Sequence, residues 1–176
     1  GDYLNYIPVN KFLIEFDPKT VLANGTVKPY LRDSLLDVMV WEYPESDAFK
    51  GDLAIMDILA SSNFARPVYF STTVPSTQYK GLQKFFVQEG LAYRISAVRT
   101  GNSEIGQFGM TDHVIMYENF MNRFKWGNAD DPDVYLDENN KRMFSNYRRL
   151  FGHLGKRLLE TGDTIKALEI VRRGIS

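Results

Sequence analysis

The 176-residue chain is 44% apolar and 24% charged, a globular balance far from that of disordered sequences. Its 21 basic and 22 acidic residues leave a net charge of −1, which argues against a nucleic-acid surface. The absence of cysteine excludes disulfides, thiolate catalysis and cysteine-ligated zinc.

Residues 6–16 predict a strand, because Phe12, Ile14 and Phe16 alternate with Leu13 and Glu15. Ile7 and Val9 fall on the opposite parity, so a bulge is expected near Asn10-Lys11, and Pro8 suits an edge. Asp17-Pro18 starts a short helix that Asn24-Gly25 stops. Leu35 to Trp41 predicts a second strand with Leu36, Val38 and Val40 on one face. Gly51-Asp52 opens a helix with a stripe of Leu53, Met56, Leu59 and Ala60, widened by Ile55 and ended by Asn63. Pro67 to Ser71 reads as an interior strand. A helix is expected over Tyr79 to Gln88, on Leu82, Phe85 and Phe86, with Gly90 as its cap. Leu91 to Val98 alternates again, Leu91, Tyr93, Ile95 and Ala97 against Arg94 and Ser96. This order predicts an α/β fold: a small mixed, partly parallel sheet with flanking helices, right-handed crossovers and the first strand at an edge.

Thr100 to Gly109 is a glycine-rich loop. Thr111 caps a helix with the face Tyr117, Phe120, Met121 and Phe124, ended by Trp126-Gly127. After an acidic loop, Asp130 to Glu138, comes a helix with Met143, Tyr147, Leu150, Phe151, Leu154 and Leu158 on one face. Gly162 breaks it, and Asp163 caps a last helix carrying Ala167, Leu168 and Val171. The expected division is an α/β domain over 1–110 and a helical region over 111–176. Its hairpin, 143–174, has the spacing of a tetratricopeptide repeat at Phe151, Leu154, Gly155, Leu158, Gly162, Ala167 and Val171. One such repeat cannot bury both faces, so further repeats are expected beyond the chain.

Few residues suggest chemistry. The Gly101–Gly109 loop lacks the Lys-Ser/Thr of a phosphate-binding loop and misses the dinucleotide spacing, so it reads as a connector. Asp130, Asp131, Asp133, Asp137 and Glu138 are enough carboxylates for a hard cation, but Pro132 stands where a calcium loop needs a ligand. They read instead as a solvated turn. His113 and His153 have no cysteine to help them hold zinc, and no Gly-x-Ser-x-Gly elbow is present. The basic residues after Lys141 alternate with core positions, as on a solvated helical face. Trp41 and Trp126 read as core residues before sugar platforms. Asn24-Gly25-Thr26 matches an N-glycan sequon, although a helix-ending Asn-Gly is the plainer reading. No catalytic, cofactor-binding or metal-ligating residue is assigned, and no cofactor is expected.

No apolar run approaches the ~20 residues of a membrane span. A start at Gly-Asp-Tyr, with no signal peptide, reads as part of a longer protein. Five ordered blocks carry a family likeness: Asn5-Tyr6-Ile7-Pro8-Val9-Asn10-Lys11, Asp52 to Ala60, Arg66-Pro67-Val68-Tyr69-Phe70, Glu89 to Arg94, and Asn122 to Asn128. Over nearly the whole chain, the sequence resembles the soluble C-terminal region of a bacterial family of multi-pass membrane proteins related to protein O-mannosyltransferases. The resemblance implies an extracytoplasmic, periplasmic tail on a parent whose membrane half holds the glycosyltransferase chemistry, so no catalytic residue carries over to this chain. The implied role is protein interaction or recruitment of a protein or glycan acceptor, beside the parent's membrane domain. Two other readings compete. One is a freestanding α/β enzyme with a site at the carboxyl ends of the strands, at Ser71, Thr72 and the Gly101–Gly109 loop. The other is a carbohydrate-binding module built on aromatics such as Trp126.

Overall fold

The computed structural model describes residues 5–6, 9–62, 64–100, 108–128, 131 and 133–175. They form a mixed α/β fold that ends in a helical hairpin, the class expected from sequence. Two compact units make it up, Gly1–Met110 and Thr111–Ser176.

In the first unit, the expected strand over 6–16 is two strands in separate ladders. β1 (Asn5–Tyr6) and β2 (Lys11–Ile14) are separated at the position where a bulge was expected. Ile7 and Pro8 lie outside the described residues. α1 (Pro18–Ala23) begins as its sequence predicts, the Asp17 carboxylate accepting from the Lys19 and Thr20 amides. β3 (Met39–Glu42) pairs antiparallel with β2, setting Phe12 opposite Trp41 and Ile14 opposite Met39.

The face that carries Leu36, Val38 and Val40 is not the buried one, whereas Trp41, read as a core residue, is buried. Met39 and Trp41 are buried, whereas Leu36 and Val40 are half-buried and Val38 is exposed. Trp41 packs 5.5 Å from Phe12, and its indole N–H donates to the Lys80 carbonyl at 2.7 Å. Burying an indole with a satisfied N–H outweighs burying a valine. β4 (Asp47–Ala48) pairs with β1. α2 (Lys50–Ser62) follows, with Leu59 buried and Leu53, Ile55 and Met56 packed against the core. Asn63, its expected end, lies outside the described residues.

The main sheet holds β5 (Tyr69–Ser71), β6 (Phe86–Gln88), β7 (Ala92–Ile95) and β8 (Met110–Thr111), in the order β5-β7-β6-β8. β5, expected inside the sheet, is an edge strand, and β7 is interior. β7 pairs antiparallel with both β5 and β6, where the strand–helix alternation predicted parallel neighbours. The reason lies in residues 79–88, which are not a helix. Lys80 and Gly81 both have positive φ, and a Cβ on Gly81 would lie 2.3 Å from the Glu42 carbonyl oxygen. A single 3-10 turn, Leu82–Phe85, runs straight into β6. Without a crossover helix, a tight hairpin joins β6 to β7 and the pair must be antiparallel. Arg94 and Ser96, expected on a polar face, are both buried.

In the second unit, α3 (His113–Glu118) is capped by Asp112 rather than Thr111, its carboxylate accepting from the Ile115 amide at 3.1 Å. A π turn, Asn119–Arg123, extends it. α4 (Glu138–Glu160) and α5 (Thr164–Ile175) form the hairpin. The core is Met116, Phe120, Phe151, Leu154, Leu158, Ala167 and Ile170. Leu168 and Val171, expected inside, are exposed, because Ala167 and Ile170 take the face toward α4.

Candidate functional site

β2 and α2 bound an apolar groove in the first unit. It measures about 720 Å³ and is lined by Lys11 through Glu15, Trp41, and Met56, Asp57 and Ala60 of α2. A buried polar contact sets α2 in place. The Asp52 carboxylate, in the helix's first turn, accepts from the Phe49 amide at 3.0 Å and from the Tyr43 hydroxyl at 3.1 Å. Burial, reinforced by the Asp52 carboxylate, holds the Tyr43 phenol well above its ordinary pKa, so Tyr43 stays a proton donor.

Across the groove, the pairing of β2 fixes which backbone groups point into it. The Tyr43 amide donates to the Asn10 carbonyl at 2.7 Å, so Asn10 and Tyr43 are a hydrogen-bonded pair. Such pairs alternate along an antiparallel ladder. Phe12 and Ile14 therefore turn their amides and carbonyls to β3, and Lys11 and Leu13 turn theirs outward. Among the described residues no strand takes up that outward edge, since β2 and β3 form a two-stranded sheet. Side chains follow the same period: Phe12 and Ile14 face the core, while Lys11, Leu13 and Glu15 are exposed, Leu13 at 69%. Lys11 is already engaged by Glu42 at 3.3 Å. Glu15 and Asp57, both exposed, form no ion pair among the described residues, so the rim is acidic.

A second, shallower groove of about 450 Å³ has an apolar wall of Leu36, Val38, Val40, Phe85 and Val98, with Lys84 and Arg99 beside it. Leu36, Val38 and Val40, grouped on one face by the sequence, thus form part of a groove wall.

The sequence-level candidates are dispersed. Thr72 is spent on turn geometry, its amide and hydroxyl both bonding the Leu91 carbonyl, and Ser71 Oγ meets Thr73 Oγ1 at 2.8 Å. Residues 101–107 of the glycine-rich loop, and Asp130 and Pro132 of the acidic run, lie outside the described residues. Asp131 and Asp137 accept from backbone amides at Asp133 and Asn140. Among the described residues no three His, Asp or Glu side chains converge as metal ligands. His113 sits in the second unit; burial, then Arg157, pushes its pKa below the ordinary value. Trp126 packs between Phe120, Phe124, Tyr147 and Phe151. At the sequon, the Asn24 side-chain amide donates to the Phe64 carbonyl at 2.6 Å and Thr26 is buried. No helix among the described residues is long and apolar enough to cross a membrane.

Sequence reading missed the β2–α2 groove. The one available signal was Leu13, a large apolar residue on the polar parity of its strand.

Comparison with curated proteins and with solved structures gave no match. Residues 1–114 match the family described as TMEM260-associated domain 2. That span covers the whole first unit, both grooves included, and more than half of the chain. The chain therefore belongs to the TMEM260-associated domain 2 family, as a domain of a TMEM260-type membrane protein.

Proposed function

We propose that the chain is a non-catalytic, extracytoplasmic accessory domain that holds a polypeptide partner or acceptor for its membrane-embedded parent. The observation that carries this reading is the β2–α2 groove, where an outward strand edge faces an apolar helix flank across about 720 Å³. That volume suits a short peptide stretch, and peptides commonly dock on strand edges. The resemblance to the tail of membrane proteins related to O-mannosyltransferases supports the extracytoplasmic side and a parent that transfers sugar. The spacing of the C-terminal hairpin supports continuation into tetratricopeptide-like repeats.

The test is made on the full-length parent in membranes. Glu15→Lys with Asp57→Lys reverses the groove's rim without touching the core. Capture of the acceptor polypeptide should fall, while transfer to a minimal acceptor of two or three residues, too short to pair along β2, stays unchanged. Equal loss of both activities points to a catalytic contribution and removes the accessory reading.

A further inference from the structure

We infer that the β2–α2 groove binds an extended, basic–apolar peptide segment as an added strand on β2. The inference rests on the recruitment reading above and names the chemistry of the recruited segment.

Three features specify the occupant. The first is the backbone: Lys11 and Leu13 point amides and carbonyls outward, and only another extended chain offers acceptors and donors at that spacing. A helix has no backbone groups to give, and a sugar does not repeat at the strand period. The second is the wall. Phe12, Met56 and Ala60 line the side on which α2 lies, so alternate residues of the added strand meet apolar surface there. The third is charge. Residues of the opposite parity stand beside Leu13 and Glu15, and the exposed Glu15 carboxylate forms no ion pair among the described residues. Opposite charges on neighbouring strands attract and like charges repel. The favoured segment therefore alternates apolar residues, directed at α2, with lysine, arginine or small polar residues directed outward.

The probe is the fluorescein-labelled peptide Thr-Val-Lys-Val-Thr-Val-Lys-Val, titrated with the 176-residue chain and followed by anisotropy. Saturable binding is expected. Two N-methylated versions decide the mode. Methylating the amides of one alternate set removes donors to β2 and should weaken binding roughly tenfold or more; methylating the other set should leave it within about twofold. Replacing both lysines by glutamate should weaken binding, and Glu15→Lys in the protein should restore the glutamate peptide. Leu13→Pro removes an outward amide while sparing the ladder to β3, and should abolish binding with an unchanged melting curve. If that variant fails to fold, the N-methyl pair still decides.

No saturable binding, or equal effects of the two methylated sets, overturns strand addition. Retained peptide binding alongside unaltered acceptor capture by the full-length Glu15→Lys, Asp57→Lys parent leaves strand addition standing and removes recruitment. Reduced capture with indifferent N-methylation does the reverse.

Discussion

Glu89 and Arg94 face each other at the β6–β7 hairpin as a buried ion pair, Oε1 to Nε 2.9 Å, with side chains 9% and 0% exposed. The Tyr69 hydroxyl donates to Glu89 Oε2 at 2.9 Å. Beyond the pair, Arg94 Nη1 donates to the Gly25 and Thr26 carbonyls, and Ser96 Oγ donates to the same Thr26 carbonyl at 3.1 Å. A hairpin of the main sheet is thereby tied to the turn that ends α1. Two of the five sequence blocks that mark the family likeness, 66–70 and 89–94, meet here through Tyr69, Glu89 and Arg94.

Removing one member of this pair strands a buried charge. Arg94→Leu should cost about 3–5 kcal/mol in urea unfolding. Adding Glu89→Leu should recover a sizeable part of that loss, because the orphaned carboxylate goes with it. A double variant no better than the single would mean that Arg94 acts chiefly through the Gly25 and Thr26 carbonyls.

Gly109 is set by close approach as well as by conformation. Its φ is +66, and a Cβ there would fall 1.9 Å from the Phe86 carbonyl oxygen on β6. Gly109→Ala should destabilise the first unit by roughly 2–4 kcal/mol. A loss below about 0.5 kcal/mol in denaturant titration would show that the segment can move off β6.

The hairpin glycines should not be equivalent. A Cβ on Gly174 would meet Phe151 Cβ at 2.6 Å, an atom anchored to the α4 backbone. A Cβ on Gly155 would meet only Val171 Cγ2 that closely, at 2.7 Å, and Val171 is 42% exposed. Alanine gains about 1 kcal/mol of helix propensity at either site. Gly174→Ala should therefore be net destabilising by about 1–2 kcal/mol and Gly155→Ala nearly neutral, by thermal unfolding of the helical signal.

His113 should make the second unit sensitive to mild acid. Its pKa is lowered from 6.5 first by burial and then by Arg157; Lys166 also opposes the charge, while Asp112 and Asp163 favour it. The unfolded chain takes up the proton near 6.5, whereas the folded chain resists it. The contribution is thus complete above that pH and is lost as pH falls through the folded value. His113→Gln should flatten the stability profile below pH 6.5 and leave it unchanged in shape above. An identical slope in both proteins would assign the acid sensitivity to carboxylates.

Local chemistry was legible wherever one residue's own geometry decides. Asp17-Pro18 starts α1 because a carboxylate can cap its own helix and proline costs nothing at the first turn. Gly162 ends α4 and Asp163 caps α5 for equally local reasons. The α/β class and the helical hairpin follow from such signals summed along the chain.

Which face is buried, and what pairs with what, were decided only in three dimensions. Leu36, Val38 and Val40 alternate as well as Met39 and Trp41 do, and the choice fell to the face on which an indole could meet Phe12 and the Lys80 carbonyl. Residues 79–88 carry a helical pattern, but the approach of Gly81 to Glu42 forces a turn and makes β6 a strand. Arg94 reads as a surface residue until its partners, distant in sequence at Gly25 and Thr26, surround it. The groove was hidden for the same reason. Its walls, residues 11–15 and 56–60, are brought side by side only by folding, and an outward strand edge is a property of pairing, which no single segment encodes.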